Sequence, residues 1–323
     1  MESDKSSQNA ITVSVCMITY NHEAYIAQAI EGVLMQQTDF PVELVIGEDC
    51  STDYTREIVQ TYATRYPGRI RALLNDHNLG PQYNFVATLK ECRGKYVALC
   101  EGDDFWTDPH KLQKQVDFME THPDYAMCFH LTYKLYEATG EIVLDKGKSK
   151  KNSYNINDVI NSRCIIYTTS VLFRNWLIQE LPLWFSESPV GDTPLFILLA
   201  QYGKIGLIKQ PMAVYRIHPK GLWQGADDIA RLRMTSKTFS LVSMHLGPNY
   251  EKLFRNLFSK LYLSEAKICI SRGDAINAKK WLKKSLQSSF FTNSRWIDQV
   301  VMIGRLYIPQ LYKFAKWLQE RVE

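Results

Sequence analysis

Three carboxylates lie within four residues of one another in this chain, where a short apolar run ends. Residues 97–100 predict a buried strand, and Glu101, Asp103 and Asp104 follow it. The carboxyl ends of parallel strands are where open α/β sheets bind ligands. Because carboxylates at such spacing repel one another, a fold that holds them together favours a divalent cation such as Mg²⁺ or Mn²⁺ between them.

A structural explanation of these acids competes with the metal site. Asp104 or Asp108 could cap the helix that is predicted to begin near Pro109. The strand at residues 42–47 also ends on acids, Glu48 and Asp49. Polar side chains at several strand ends favour the ligand site over the cap.

The elements before the acidic run alternate between strand and helix. Apolar, β-branched runs predict strands at 11–19, 42–47, 70–74 and 96–100, and helical periodicity predicts helices within 23–37, 54–65 and 82–92. This βαβαβαβ order predicts a Rossmann-like, mostly parallel α/β sheet flanked by helices. Asn21 is the predicted cap of the first helix, and Thr52 or Asp53 that of the second. The first turn lacks Gly-x-Gly-x-x-Gly, which argues against dinucleotide binding.

A second carboxylate site is predicted further along the chain. Asp192 precedes the apolar helix 195–202, where it could be the N-cap of that helix. Short strands are predicted at 206–209 and 213–216, around Pro211, and residues 137–155 read as a polar loop. The remainder is helical, at 224–246, 251–271, 274–286 and 293–320, and 251–287 resembles a single tetratricopeptide-like hairpin.

Length and composition narrow the class of protein. A chain of 323 residues with 46% hydrophobic and 22% charged residues predicts one α/β core with an accessory region. The polar start at 1–9 is unlike a signal peptide and no run is long enough to span a bilayer, so we expect a cytoplasmic protein. Seven scattered cysteines without Cys-x-x-Cys spacing predict reduced thiols.

The C-terminal region is basic. Residues 251–323 hold fourteen Lys or Arg against six Asp or Glu. Within it, 303–322 mixes aromatic and basic residues, which predicts either contact with the inner face of a membrane or packing on the preceding helices. The basic residues belong to no recognised nucleic-acid module, so nucleic acid is not an expected partner.

Five ordered motifs resemble the inverting family-2 glycosyltransferases of GT-A fold, especially bacterial members that build cell-surface polysaccharides. They are Val-Cys-Met-Ile-Thr-Tyr-Asn at 15–21, Glu-Asp-Cys-Ser-Thr-Asp at 48–53, Asn-Leu-Gly at 78–80, Glu-Gly-Asp-Asp at 101–104 and Gly-Asp at 191–192. The resemblance covers about residues 11–222. Glu48 and Glu101 stand where the family usually has Asp, and Cys50 replaces a common Gly.

The resemblance implies a domain organisation and a set of roles. It implies a GT-A domain at 1–222, with a nucleotide-binding half at 11–110 and an acceptor half at 111–222, followed by a helical region at 223–323. It implies Asp192 as the catalytic base, and a divalent metal, Mn or Mg, held by Asp103 or Asp104 together with His218. The donor nucleotide would meet Asp49 through the N3–H of uracil, Tyr20 by stacking and Glu101 through the ribose. The other residues of this nucleotide site would be Thr19, Asn21, Glu48, Asn78 and Gly102.

The function so implied is transfer of one sugar from a nucleoside-diphosphate sugar to a hydroxyl of a saccharide or lipid-linked acceptor, with a UDP-sugar as the expected donor. No Gln-x-x-Arg-Trp motif follows Asp192, which favours single additions. The alternatives are a sugar-nucleotide pyrophosphorylase, whose Gly-rich basic loop is not found at residues 19–22, and a non-catalytic helical adaptor.

Overall fold

The structure is a computed structural model that describes residues 10–289, apart from 148–150, 163, 220 and 222, together with 296–308 and 310. The chain divides into two compact units, Met1–Gly225 and Ala226–Glu323. The sequence predicted a boundary at 222, which stays a prediction.

The first unit begins with alternating strands and helices, as the periodicity predicted. The elements are β1 (Val13–Thr19), α1 (Ile26–Leu34), β2 (Val42–Glu48), α2 (Thr55–Arg65), β3 (Ile70–Leu74), α3 (Pro81–Lys90) and β4 (Tyr96–Leu99). The strands are parallel in the order β3-β2-β1-β4. Thr19 pairs with Glu48 in the register of β1 and β2, so the polar ends of these strands meet at one edge.

The second half of the unit extends this sheet with strands of both directions. Its elements are β5 (Phe105–Trp106), α4 (Lys111–Thr121), β6 (Tyr125–Tyr136), β7 (Glu141–Asp145), β8 (Ser153–Tyr154), α5 (Ile156–Ile160), β9 (Leu172–Arg174), α6 (Asp192–Leu199) and β10 (Lys204–Ile217). β9 lies antiparallel between β4 and β6, and β10 runs parallel to β6 and antiparallel to β5. The predicted α/β class with a central sheet between helices is confirmed.

Several local predictions differ from the structure. The two strands predicted around Pro211 are one strand, β10, whose register shifts at Pro211, since proline has no N–H for the ladder. The polar loop 137–155 contains β7 and β8. Asn21 does not cap α1, which begins after Tyr25, and α2 begins after Tyr54 rather than Thr52 or Asp53.

The strands of the first unit are buried on both faces of the sheet. On one face, alternate apolar residues of β1, β2 and β4 pack against α1, α2 and α4 in a single buried cluster. The residues that point to the other face, such as Val45, Val97 and Leu99, are also buried. Strands covered by helices on both faces cannot alternate polar and apolar residues, which explains the continuous apolar runs in the sequence. The rigid sheet beneath the strand ends holds the polar side chains that follow them.

The second unit is helical, as predicted. It contains α7 (Asp228–Leu246), α8 (Glu251–Ser271), α9 (Ala275–Ser288) and α10 (Trp296–Tyr307). The turn between α8 and α9 contains Gly273 at φ 79° and Asp274, whose carboxylate accepts the Asn277 N–H at 3.0 Å. The tetratricopeptide-like character of this hairpin stays a prediction.

The predicted membrane-interface segment, 303–322, falls mostly outside the described residues. None of the described helices is both long and apolar enough to cross a membrane.

Candidate functional site

The acidic run lies at the carboxyl edge of the sheet, and its two aspartates have different surroundings. Asp103 Oδ2 is 3.0 Å from His218 Nε2 and 3.8 Å from His22 Nε2. Asp104 is 1% exposed, and its Oδ1 accepts the Arg216 backbone N–H at 2.9 Å. Asp104 therefore does not cap α4, and Asp103 is the carboxylate that meets the histidines.

The protonation of the three acids follows from burial and from their mutual repulsion. Burial raises the pKa of Asp104 well above its usual value, and the charges of Asp103 and Glu101 raise it further. Burial, followed by the charges of Asp103 and Asp192, raises the pKa of Glu101 to about 8. Burial also acts to raise the pKa of Asp103, but the His218 hydrogen bond and the charges of both histidines outweigh it and hold that pKa low. Asp103 is thus the member of the run that keeps its charge.

Arg216 ties the acidic run to neighbouring elements. Its Nε donates to the Asp103 carbonyl at 2.8 Å, and its Nη2 donates to Gln28 Oε1 at 2.6 Å. Its Nη1 pairs with Glu137, and its guanidinium lies 4.6 Å from the centroid of the Tyr25 ring. A planar guanidinium with several partners has a well-defined position. Arg216 therefore fixes the backbone of Asp103 relative to the end of β10, where His218 follows.

The turn after β1 forms a second wall beside the acids. Gly102 donates its N–H to the Ile18 carbonyl at 3.0 Å, and a Cβ on Gly102 would lie 2.6 Å from Thr19 Oγ1. Thr19 Oγ1 is also 3.2 Å from His22 Nδ1. This close backbone approach explains the glycine, while Tyr20 is 41% exposed and free to stack with a planar ligand.

Asp49 and Asn78 of the predicted nucleotide site lie around the loop after β3. Asp49 is 2% exposed and accepts the N–H groups of Leu79 at 2.8 Å and Gly80 at 2.9 Å. Asn75 Nδ2 also donates to Asp49, at 2.9 Å, and Asn78 Oδ1 accepts the Gly80 N–H at 3.0 Å. Asp49 therefore holds the backbone of this loop through its hydrogen bonds. A nucleobase bound here would share a carboxylate that already accepts them.

Glu48 and Asn21 also fix local structure. Glu48 is fully buried, accepts the Ser51 N–H at 2.7 Å and lies 3.5 Å from Arg56 Nε. Asn21, at φ 55°, accepts the Thr52 N–H at 2.8 Å. Both residues shape the turns at the strand ends.

Cys50 also has a left-handed backbone, with φ 57°. Glycine adopts that region without the steric cost that a Cβ brings. This explains why the related motif has a glycine at this position.

Asp192 opens α6 but does not cap it. Gly191 is the N-cap residue, and Asp192 Oδ1 accepts the N–H of the adjacent Thr193 at 2.5 Å. Burial raises the pKa of Asp192, against the opposing effect of the Thr193 hydrogen bond. Because its charge acts on Glu101, the structure brings Asp192 within electrostatic reach of the acidic run.

Sequence reasoning missed three residues of this site, His22, Glu137 and Tyr25. His22 follows Tyr20 and Asn21 and was assigned only to that turn. A histidine beside acidic strand ends could have indicated a residue of the same site. Glu137 was read as loop, and Tyr25 as part of a helix. Within the part of the chain that the structure describes, no group of three or more His, Cys, Asp or Glu side chains is spaced to hold a metal ion.

Comparisons with curated proteins give relatives for about two thirds of the chain. An uncharacterized protein of Mycobacterium tuberculosis is 39% identical over 215 residues, which are 66% of this chain and 61% of that protein. The chain thus spans about three fifths of the length of the curated relatives it matches. The poly(ribitol-phosphate) β-N-acetylglucosaminyltransferase TarS of Staphylococcus aureus is 29% identical over 54% of this chain and 29% of TarS.

Solved structures share the fold. Residues 1–349 of TarS in complex with UDP-GlcNAc superpose with a TM-score of 0.56 at 16% identity, over 87% of this chain and 93% of that one. The mannosyltransferase PcManGT of Pyrobaculum calidifontis, in complex with GDP-Man and Mn²⁺, gives a TM-score of 0.57 at 15% identity, over 95% and 84% of the two chains. The fold is therefore that of the GT-A glycosyltransferases.

The family model "Glycosyl transferase family 2" matches residues 14–179, which include β1 to β4, the acidic run and the loop that carries Asp49. This match covers half of the chain. The chain belongs to glycosyl transferase family 2.

Proposed function

We propose that this protein transfers one sugar, with inversion, from a UDP-sugar to a hydroxyl of a saccharide or lipid-linked acceptor in cell-surface polysaccharide synthesis. The observation that carries the proposal is the 3.0 Å contact between Asp103 Oδ2 and His218 Nε2 at the edge where the polar strand ends meet. The name of TarS gives poly(ribitol-phosphate) as the polymer it acts on, which supports a polymeric acceptor, and its complex with UDP-GlcNAc supports a UDP-sugar donor. The family match favours sugar transfer over the pyrophosphorylase and adaptor alternatives.

The donor set fits a divalent cation that is held partly by substrate. Asp103 Oδ2 and His218 Nε2 are a carboxylate and an imidazole donor, and both suit Mn²⁺. His218 Nδ1 and Asp104 Oδ2 are buried without hydrogen-bond partners, so this corner has unused polar capacity. Cations at phosphate sites commonly take one or two protein ligands and complete their shell with phosphate oxygens and water, which agrees with a site of fewer than three side chains. When bound, the cation stabilises the charge of the departing diphosphate.

The remaining roles follow from position and charge. Asp192, with its pKa raised by burial, is the proposed general base, because a base is most effective when its pKa approaches the working pH. Tyr20 is exposed for stacking against the nucleobase, and Asp49 Oδ2, which accepts the Gly80 N–H, is a carboxylate oxygen that can accept a second hydrogen bond. Glu101 is proposed to bind the ribose. Contact of the basic C-terminal region with a membrane stays a prediction.

The metal assignment is tested by the thermal stability of the protein with UDP. UDP is expected to raise the Tm of the wild type only when Mn²⁺ or Mg²⁺ is present, and Asp103→Asn should lose that effect because the oxygen that meets His218 is neutralised. Asp39→Asn, at an exposed acid outside the site, is the control. Metal-independent UDP protection that survives in Asp103→Asn would refute the assignment.

The base is tested with Asp192→Asn, which keeps size and the Thr193 contact but cannot accept a proton. UDP release from a panel of UDP-sugars is expected to fall by about 10²- to 10⁴-fold while UDP protection stays. Normal turnover by this variant would mean that Asp192 serves only the first turn of α6.

A further inference from the structure

A pocket beside β6 lies outside the acidic site and has no role in the mechanism above. We call it the β6 pocket, and its wall includes Phe129, His130, Asp145, Tyr154, Ile165 and Tyr167. These residues come from β6, from the end of β7, from β8 and from the segment before β9. All of them belong to the half of the first unit that the sequence assigned to the acceptor.

His130, one of the wall residues, has a buried acceptor atom. The side chain is 2% exposed, and its Nδ1 lies 2.7 Å from the Leu131 carbonyl oxygen. A carbonyl oxygen can only accept, so Nδ1 carries the proton and Nε2 presents a lone pair. Nε2 is buried and has no hydrogen-bond partner, which is costly for a polar atom. Burial and the charge of Lys111 hold the pKa of His130 well below its usual value, so the ring stays neutral and keeps this lone pair.

Asp145 of the β6 pocket is paired with Lys134, and Lys146 adds a cation to the wall. Asp145 Oδ2 lies 2.7 Å from Lys134 Nζ and accepts the Tyr167 hydroxyl at 2.6 Å. The Phe129 and Tyr154 rings lie 5.8 Å apart and supply apolar surface. Apolar and aromatic walls with few polar groups are typical of sites for small organic ligands. The chemistry suits a ligand that has an apolar face and a hydroxyl to donate.

A pair of tyrosine rings connects the β6 pocket with the segment that leads to the acidic site. The Tyr167 ring is 4.9 Å from the Tyr215 ring, centroid to centroid. Tyr215 directly precedes Arg216, and the charges of Asp104 and Glu101, after burial, raise its pKa. The α5 helix, which follows β8, also packs against α6, the helix that Asp192 opens. The walls of the pocket therefore adjoin elements that contact the donor end and the helix of the proposed base.

We infer that the β6 pocket binds a sugar or polyol unit of the acceptor, with one ligand hydroxyl donating a hydrogen bond to His130 Nε2. This inference rests on the proposed function, because it assigns the acceptor side of that same reaction. The aromatic walls pack against the C–H face of the unit.

The test measures saturation-transfer NMR signals of glucose, N-acetylglucosamine and ribitol, each at millimolar concentration, with the full chain in the presence of UDP and Mn²⁺. His130→Asn keeps an amide near Nδ1 but has no atom at Nε2, whereas His130→Gln places a carboxamide near Nε2. Ile165→Trp narrows the rim of the pocket from a position that is 41% exposed, so it avoids the core. Ile142→Trp, at an exposed isoleucine of β7 outside the pocket wall, is the matched control.

At least one of the three compounds is expected to bind the wild type and the Ile142→Trp control alike. His130→Asn should weaken this binding about two- to tenfold, which is the effect of one neutral hydrogen bond, and His130→Gln should restore most of it. Ile165→Trp should abolish the binding of these compounds. If the His130 variants do not fold, this result alone tests whether the compounds bind in the β6 pocket.

Two results would overturn the inference. One is that none of the three compounds binds the wild type, and the other is that binding persists in Ile165→Trp. Thermal protection by UDP is recorded on the same samples and reports the donor site alone. Failure of the proposed function would appear as loss of UDP protection in the wild type, whereas failure of the inference leaves that protection intact.

Discussion

Lys111, at the start of α4, makes the stability of the first unit depend on pH in a direction that can be worked out. Its side chain is fully buried, with Nζ 2.6 Å from Gln115 Oε1 and 3.8 Å from the centroid of the Trp106 ring. Burial lowers the pKa of Lys111 to about 7, from an ordinary value of 10.5. Between these two values the unfolded chain binds the proton and the folded chain releases it, so the free energy of unfolding rises as the pH rises.

The size of this effect follows from the two pKa values. Each unit of difference corresponds to about 1.4 kcal/mol, and integration from pH 7 to pH 9 gives an increase of about 2 kcal/mol from this one group. Lys111→Met has a similar volume and does not titrate, so this increase should disappear. The variant leaves Gln115 Oε1 without its donor, which costs about 1–3 kcal/mol at either pH. The prediction therefore concerns how the difference in free energy of unfolding between wild type and Lys111→Met changes with pH. It does not concern which of the two proteins is more stable at one pH.

The assay is urea unfolding of the wild type and Lys111→Met at pH 7 and pH 9, under reducing conditions that keep the cysteines as thiols. The wild type should gain about 2 kcal/mol relative to the variant over this range. Lys90→Met, at an exposed lysine of α3, should show no such relative change. A difference between wild type and Lys111→Met that is the same at both pH values would refute the reasoning.

Two further substitutions test the local geometry of each unit. Gly102→Ala should lower the free energy of unfolding by about 1–3 kcal/mol and weaken UDP protection, because its Cβ would lie 2.6 Å from Thr19 Oγ1. A variant with wild-type Tm and UDP protection would contradict that close approach. Asp274→Ala should cost about 1 kcal/mol by removing the side-chain acceptor for the Asn277 N–H at the start of α9. Unchanged urea unfolding of the second unit would show that this cap contributes nothing.

Much of the fold could be predicted because its signals are local. Strands β1, β2 and β4 are buried on both faces, so they appear in the sequence as continuous apolar runs, and helices of regular periodicity separate them. The helix starts were predicted less well. Asn21 has the right residue type for a cap, but its side chain accepts the N–H of Thr52, a residue of the next turn. A cap preference is a local tendency, and a partner supplied by another turn overrides it.

For the candidate site, the sequence by itself determined which residue types stand at the strand ends, because the chain must place Glu48, Asp49, Glu101 and Asp103 directly after apolar strands. Only the tertiary structure decided that Asp103, and not Asp104, faces His218, at 3.0 Å and 115 positions along the chain. The pairing of β10 with β5 and β6 brings His218 and Arg216 to that edge. Sequence periodicity reports the exposure of neighbouring residues, whereas the register of strands far apart in the chain depends on the packing of the whole sheet.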